Sequence, residues 1–114
     1  MRTMALVALG ALVATPALAA ERTGFQAIVA GNLPMAERQI EAGLRADPSR
    51  PELMLNLAAV YLQTGRAAQA RALYAAVLGR PAVAMDMPSG AVVSSHAVAA
   101  AGLALVPRQD VAGR

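Results

Sequence analysis

The hydrophobic pattern is clearest over residues 51–81, PELMLNLAAVYLQTGRAAQARALYAAVLGRP, where two apolar-periodic runs are separated by Thr64-Gly65. In the first run Met54, Leu57, Ala58 and Tyr61 recur at three- and four-residue spacing, which puts them on one face of a helix. In the second, Ala70, Tyr74, Val77 and Leu78 form the matching face. Pro51 suits the first turn of the first helix, and Gly65 can take the left-handed conformation that ends it. So short a connection makes the two helices an antiparallel pair. Ala58 and Ala70 let the backbones approach, while Leu57, Tyr61, Tyr74 and Leu78 fill the space beside that contact. Each of those four contributes roughly 1.5 to 3 kcal/mol if fully buried. That sum barely offsets the ordering entropy of the segment, so one hairpin needs neighbours.

A neighbour lies upstream. Gly31, Ala36, Ile40 and Leu44 each stand 34 residues before Gly65, Ala70, Tyr74 and Leu78. With this period, and with the series Leu57, Ala58, Tyr61, Gly65, Ala70, Tyr74, the chain resembles the tetratricopeptide repeat family over about 60 residues, roughly 21–81. Asp47-Pro48 matches the family's loop proline in the first unit, and Pro81 comes one residue early in the second. The first unit departs further, with Thr23, Gly24 and Ala27 where the second has Leu57, Ala58 and Tyr61. Its leading helix is therefore expected to be weak and frayed at its start, with Phe25 and Ile28 as its buried residues. Pro34 falls in the first turn of the helix after Gly31-Asn32 and interrupts no bond that helix needs.

After Pro81 the period is lost. Short β-tolerant runs flank Pro88-Ser89-Gly90, which reads as a small hairpin, with an ordered loop as the alternative. Ser94 or Ser95 then caps a helix through His96 to about Val106, stopped by Pro107. Its apolar side is expected to be Val93, Val98, Leu103 and Val106. This third of the chain, residues 82–106, is assigned as a cap over the open flank of the repeat stack, and residues 107–114 as a flexible tail. If the cap leaves that flank open, a second copy of the chain or a partner protein must cover it, which makes a homodimer an expectation to test.

The amino terminus has another character. Met1-Arg2-Thr3 is a short positive start, Met4 to Ala14 is apolar throughout, and Ala17-Leu18-Ala19 offers the small residues a signal peptidase reads. About eleven apolar residues are too few to span a bilayer, and Pro16 interrupts any longer helix. Residues 1–19 are therefore read as a signal peptide cleaved after Ala19, with Ala20 as the near alternative, so membrane contact is only transient. In a Gram-negative cell the destination is the periplasm. The fold class that emerges is all-α: about two antiparallel helical hairpins over residues 20–81, the first degenerate, with a carboxy-terminal capping segment.

Composition narrows the chemistry. Hydrophobic residues make up 57% and charged residues 15% of the 114, and cysteine is absent, which removes disulfides, thiolate metal sites and thiol nucleophiles. Ten basic residues, all arginine, are scattered singly, and with a net charge of +3 and 3% aromatics the footprint of a nucleic-acid binder is missing. His96 with Ser94, Ser95, Asp86 and Asp110 nearby in sequence could suggest a hydrolase, but no nucleophile elbow presents them. No phosphate loop, dinucleotide fingerprint or zinc spacing occurs, so neither an enzyme nor a bound cofactor is expected.

What the resemblance implies is a protein-interaction scaffold that presents a concave groove to a peptide or helix. The groove-facing positions it implies on the helix from Pro51 are Glu52, Leu55, Asn56, Ala59, Leu62 and Gln63, with Asn56 where the family often holds a peptide backbone. Two alternatives come from other classes. Met85, Met87 and His96 are soft ligands that could hold Cu(I), although methionine is more often a gap-filler in a core. The chain could also be a self-associating structural protein.

Overall fold

The computed structural model describes residues 23–108; residues 1–22, with the segment expected to be a signal peptide, and residues 109–114 lie outside it. Five helices and a two-stranded sheet follow one another: α1 (Phe25–Val29), α2 (Leu33–Ala46), α3 (Pro51–Gln63), α4 (Ala67–Leu78), β1 (Ala84–Asp86), β2 (Val92–Ser94) and α5 (Ser95–Leu105). The architecture is the expected pair of helical hairpins, α1–α2 and α3–α4, followed by a β-hairpin and one further helix. None of these helices is long and apolar enough to cross a membrane.

The local signals explain the boundaries. Asn32 caps α2, its side-chain oxygen accepting from the Met35 N–H at 3.3 Å, and Pro34 sits in the first turn, where a missing N–H costs nothing. Pro51 opens α3 in the same way. Gly65 ends it at φ 79°, a left-handed conformation that lets the Arg66 N–H return to the Tyr61 carbonyl at 2.8 Å. Ser94, rather than Ser95, caps α5 by accepting from the Ala97 N–H at 3.1 Å. The β-hairpin forms as read, antiparallel with Met85 opposite Val93, and its turn is closed by the Gly90 N–H to the Met87 carbonyl at 2.8 Å.

Two clusters make the core. Ala27, Ala36, Ile40, Leu53, Leu57 and Val60 join the first hairpin to α3. Met54, Leu55, Ala58, Ala70, Tyr74, Val77, Met85, Ala99 and Val106 join α3 and α4 to the hairpin strand and α5. Helix α3 contributes to both and is the centre of the molecule. The face read from sequence, Met54, Leu57, Ala58 and Tyr61, is only part of what α3 buries: Leu53, Leu55 and Val60 are also inside, while Tyr61 stays half exposed. A helix that is apolar nearly all round is one packed on several sides.

Three further expectations are corrected. In α1 the buried residue is Ala27, while Phe25 and Ile28 are only partly covered. The helix has five residues, and the chain enters it through Gly24, where an added methyl would come within 2.7 Å of Ile40. Only a small residue lets the backbone lie that close to α2. On α5 the centre of the contact is Ala99 and Gly102, with Val98 and Leu103 at its edges, because the Tyr74 ring fills the space a larger side chain would need. Finally, Leu78 and Tyr61 pack against the core from partly exposed positions instead of filling it.

Candidate binding face on the central helix

Of the six positions expected to line a groove, four form a line along α3. Glu52, Asn56, Ala59 and Gln63 follow at spacings of four, three and four residues, one helical stripe about 16 Å long. The first three are half buried and Gln63 is exposed. Leu55 and Leu62 are not part of that open stripe. Leu55 is 4% exposed inside the second core cluster, and Leu62 packs against the same cluster, which includes Ala99 and Val106 around α5. The apolar edge of α3 is thus closed by the carboxy-terminal helix.

The other edge is tied to the start of the first unit. The Asn56 side-chain amide donates to the Thr23 carbonyl at 2.8 Å. Thr23 lies just before α1, so a backbone acceptor near the start of a very short helix is satisfied from the neighbouring unit. Asn56 therefore holds a peptide backbone, and that backbone belongs to its own chain. Glu52, at the top of the stripe, is paired with Arg50 at 3.4 Å.

Past Gln63 at the turn end of α3 stands a polar clamp that sequence reading did not find. Arg66 meets Glu37 of α2 with both ends of its guanidinium, at 2.6 and 3.1 Å, and lies 4.5 Å above the Tyr61 ring. A two-pronged arginine–carboxylate pair stacked on an aromatic face fixes orientation as well as charge. The bond from Arg66 holds the Glu37 carboxyl below the usual carboxylate range. Partial burial raises the Tyr61 hydroxyl, with the Glu37 and Glu41 carboxylates adding to the effect. The partners are 29 residues apart, and nothing in the local sequence signals the pair.

Several of the residues considered for chemistry are engaged in the fold. Ser94 is the helix cap, and the Ser95 hydroxyl accepts from the Val83 N–H at 2.9 Å. The His96 Nε2 lies 2.6 Å from the Arg80 carbonyl, which can only accept, so that nitrogen carries a proton and has no lone pair for a base or a metal. Asp86 is exposed on β1, and Asp110 lies outside the described residues. Met85 is 8% exposed within the core, while Met87 is half buried in the β-turn. Among the described residues no cluster of three or more His, Cys, Asp or Glu side chains could hold a metal ion.

Compared with known families, residues 27–82 match the tetratricopeptide repeat family. The match starts in α1 and ends beyond Pro81, and it leaves the hairpin and α5 outside. No curated protein and no solved structure matches the chain.

Proposed function

From the tetratricopeptide repeat over residues 27–82, a protein-interaction type of repeat rather than a catalytic one, we propose that this protein is an exported interaction scaffold of the bacterial envelope. It takes an extended peptide or a helix of a partner protein along α3. The observation that carries the reading is the stripe Glu52, Asn56, Ala59, Gln63: it stays accessible while both edges of the helix are closed, by α5 on one side and by the Thr23 contact on the other. A partner backbone offers Asn56 the same kind of acceptor that Thr23 now provides. Ala59, with its short side chain, leaves room for that backbone to lie close. Export rests on the leader-like composition of residues 1–19, which directs the mature chain to the periplasm.

The test uses Ala59→Arg, which fills the stripe from a half-exposed position without touching the core. Envelope proteins cross-linked to the wild type and lost from a variant with an unchanged melting temperature are the expected result. Equal recovery by both forms would refute the groove assignment. Cell fractionation, with the mature amino terminus read by mass spectrometry, checks the export half; a cytoplasmic chain that retains Met1 to Ala19 would refute it.

A further inference from the structure

The chain occupies the centre of its own stripe. Asn56 stands between Glu52 and Ala59, and its side-chain amide is given to the Thr23 carbonyl at 2.8 Å. That carbonyl is not used by α1, whose ladder opens one residue further on with the Ile28 N–H on the Gly24 carbonyl. Resting on the reading of the stripe as a partner site, we infer that α1 is a displaceable latch. Asn56 is held by the chain itself while α1 is seated, and a partner backbone takes it only when Thr23 and α1 move away from α3 as a unit.

Little holds α1 in place. It has five residues, no side-chain bond caps its start, Ala27 is its one buried residue, and Val29 is 68% exposed. Left-handed glycines bracket it, Gly24 at φ 75° and Gly31 at φ 80°, so the backbone at both ends can be re-aimed at little steric cost. A short segment with so few buried apolar contacts opens at lower free energy than the core it leans on.

The neighbouring helix is secured without it. Asn32 caps α2 through the Met35 N–H, and Pro34 lies in the first turn. Arg66 grips Glu37 from the α3–α4 turn with both ends of its guanidinium. Ile40 packs with Leu53, Leu57 and Val60 of α3. None of these groups belongs to α1, so α2 keeps its seat when α1 leaves. The ties that break are the Asn56 bond to Thr23, the Asn32 N–H bond to the Ala27 carbonyl at 2.8 Å, and the contacts of Gly24 and Ala27. Binding is thereby coupled to opening. With the open form populated at roughly 1–10%, partner affinity is lowered about 10- to 100-fold and is regained when α1 is released.

The test locks the latch. The chain has no cysteine, so an engineered pair can join only to itself. A Cβ built at Gly24 lies 2.7 Å from Ile40 Cγ1. The Cβ atoms of Gly24→Cys/Ile40→Cys are then no more than about 4.2 Å apart, inside the roughly 3.5–4.5 Å that a disulfide spans. Strain at the left-handed Gly24 is common to both redox states of that one chain. The probe is benzoylphenylalanine placed at the exposed Gln63 and photo-cross-linked in envelope extract, with the wild type treated alike. The oxidised chain is expected to form the adduct at least about tenfold less than the same chain after dithiothreitol. Ala27→Asp, which unseats α1, should form more of it than the wild type.

A second measurement needs no partner. Native-state hydrogen exchange of the wild type should show the Ile28, Ala30 and Asn32 amides opening at least about 100-fold more often than those of Ile40 and Gly43. Equal adduct in the oxidised and reduced chains, or α1 and α2 amides opening together, would overturn the latch. An adduct that survives Ala59→Arg overturns the partner reading of the stripe and the latch with it. An adduct abolished by Ala59→Arg but indifferent to the disulfide overturns the latch alone.

Discussion

Gly102 on α5 faces the Tyr74 ring so closely that a methyl group there would lie 2.3 Å from Cζ and 2.4 Å from Cε1. Gly102→Ala is therefore a test of how tightly the last helix is seated. In an ordinary exposed helix position the change would stabilise the protein by up to about 1 kcal/mol, since alanine is the better helix former. Here the ring must move, and it is 5% exposed and held among Ala70, Val77, Met85 and Ala99. Forcing an extra carbon into a filled core costs about 1–3 kcal/mol. Contacts of 2.3 and 2.4 Å with a buried ring put the cost in the upper part of that range, about 2–3 kcal/mol. With the propensity gain of about 1 kcal/mol subtracted, the net loss is about 1–2 kcal/mol, or roughly 5–15 °C of melting temperature in a domain of this size. Thermal denaturation followed by circular dichroism measures it. The mechanism is isolated by repeating the change in a Tyr74→Leu background, which lacks the clashing ring atoms. There, Gly102→Ala should cost at least about 1 kcal/mol less than in the wild type. A neutral or stabilising effect of Gly102→Ala in the wild-type background would show that α5 does not rest on Tyr74.

Other perturbations probe other parts of the fold. Asn56→Ala removes the donor to the Thr23 carbonyl, a bond worth about 1 kcal/mol net. Hydrogen exchange should then show roughly fivefold faster opening of α1 amides with little change in α4. Glu37 has its pKa lowered in the folded chain, so its contribution is complete above the unfolded carboxylate pKa and is lost as pH falls through the lower folded value. Melting curves should therefore place Glu37→Gln below the wild type at neutral pH, with the gap closing in strong acid. A gap that persists there would refute the charge-based account. Gly65→Ala meets nothing within 4 Å, so its cost is the left-handed backbone alone, about 1 kcal/mol in a urea titration.

The sequence made the hairpins readable because each boundary rests on a local rule: Pro51 in a first turn, Gly65 at a left-handed exit, a serine before α5. The 34-residue echo carried the correspondence of α2 with α4 as second helices of successive units, and the β-hairpin followed from its turn residues. Long-range packing was not readable. Leu55 was expected on the groove side of α3, and the seating of α5 against α3 decides that it is buried. Val98 and Leu103 drew attention on α5 by their size, whereas the contact selects Ala99 and Gly102 because a tyrosine from another helix already occupies the space. Asn56 was identified as a residue that holds a backbone, but its acceptor, Thr23, is set by where α1 begins. The Arg66–Glu37 clamp joins two charges whose local surroundings look like ordinary solvated surface.

The β-hairpin between α4 and α5 also governs how this architecture can lengthen. Within the described chain the seam between α2 and α3 is where one repeat unit meets the next through complementary surfaces. A duplicated copy of residues 48–81 inserted at that seam would find matching neighbours on both sides. Because a tandem copy of these residues gives the same chain whether it is counted before Pro48 or after Pro81, the last unit of the product would still run into β1. The β-hairpin and α5 would therefore stay attached to the final unit of any array made this way, and lengthening would add units only between them and α2.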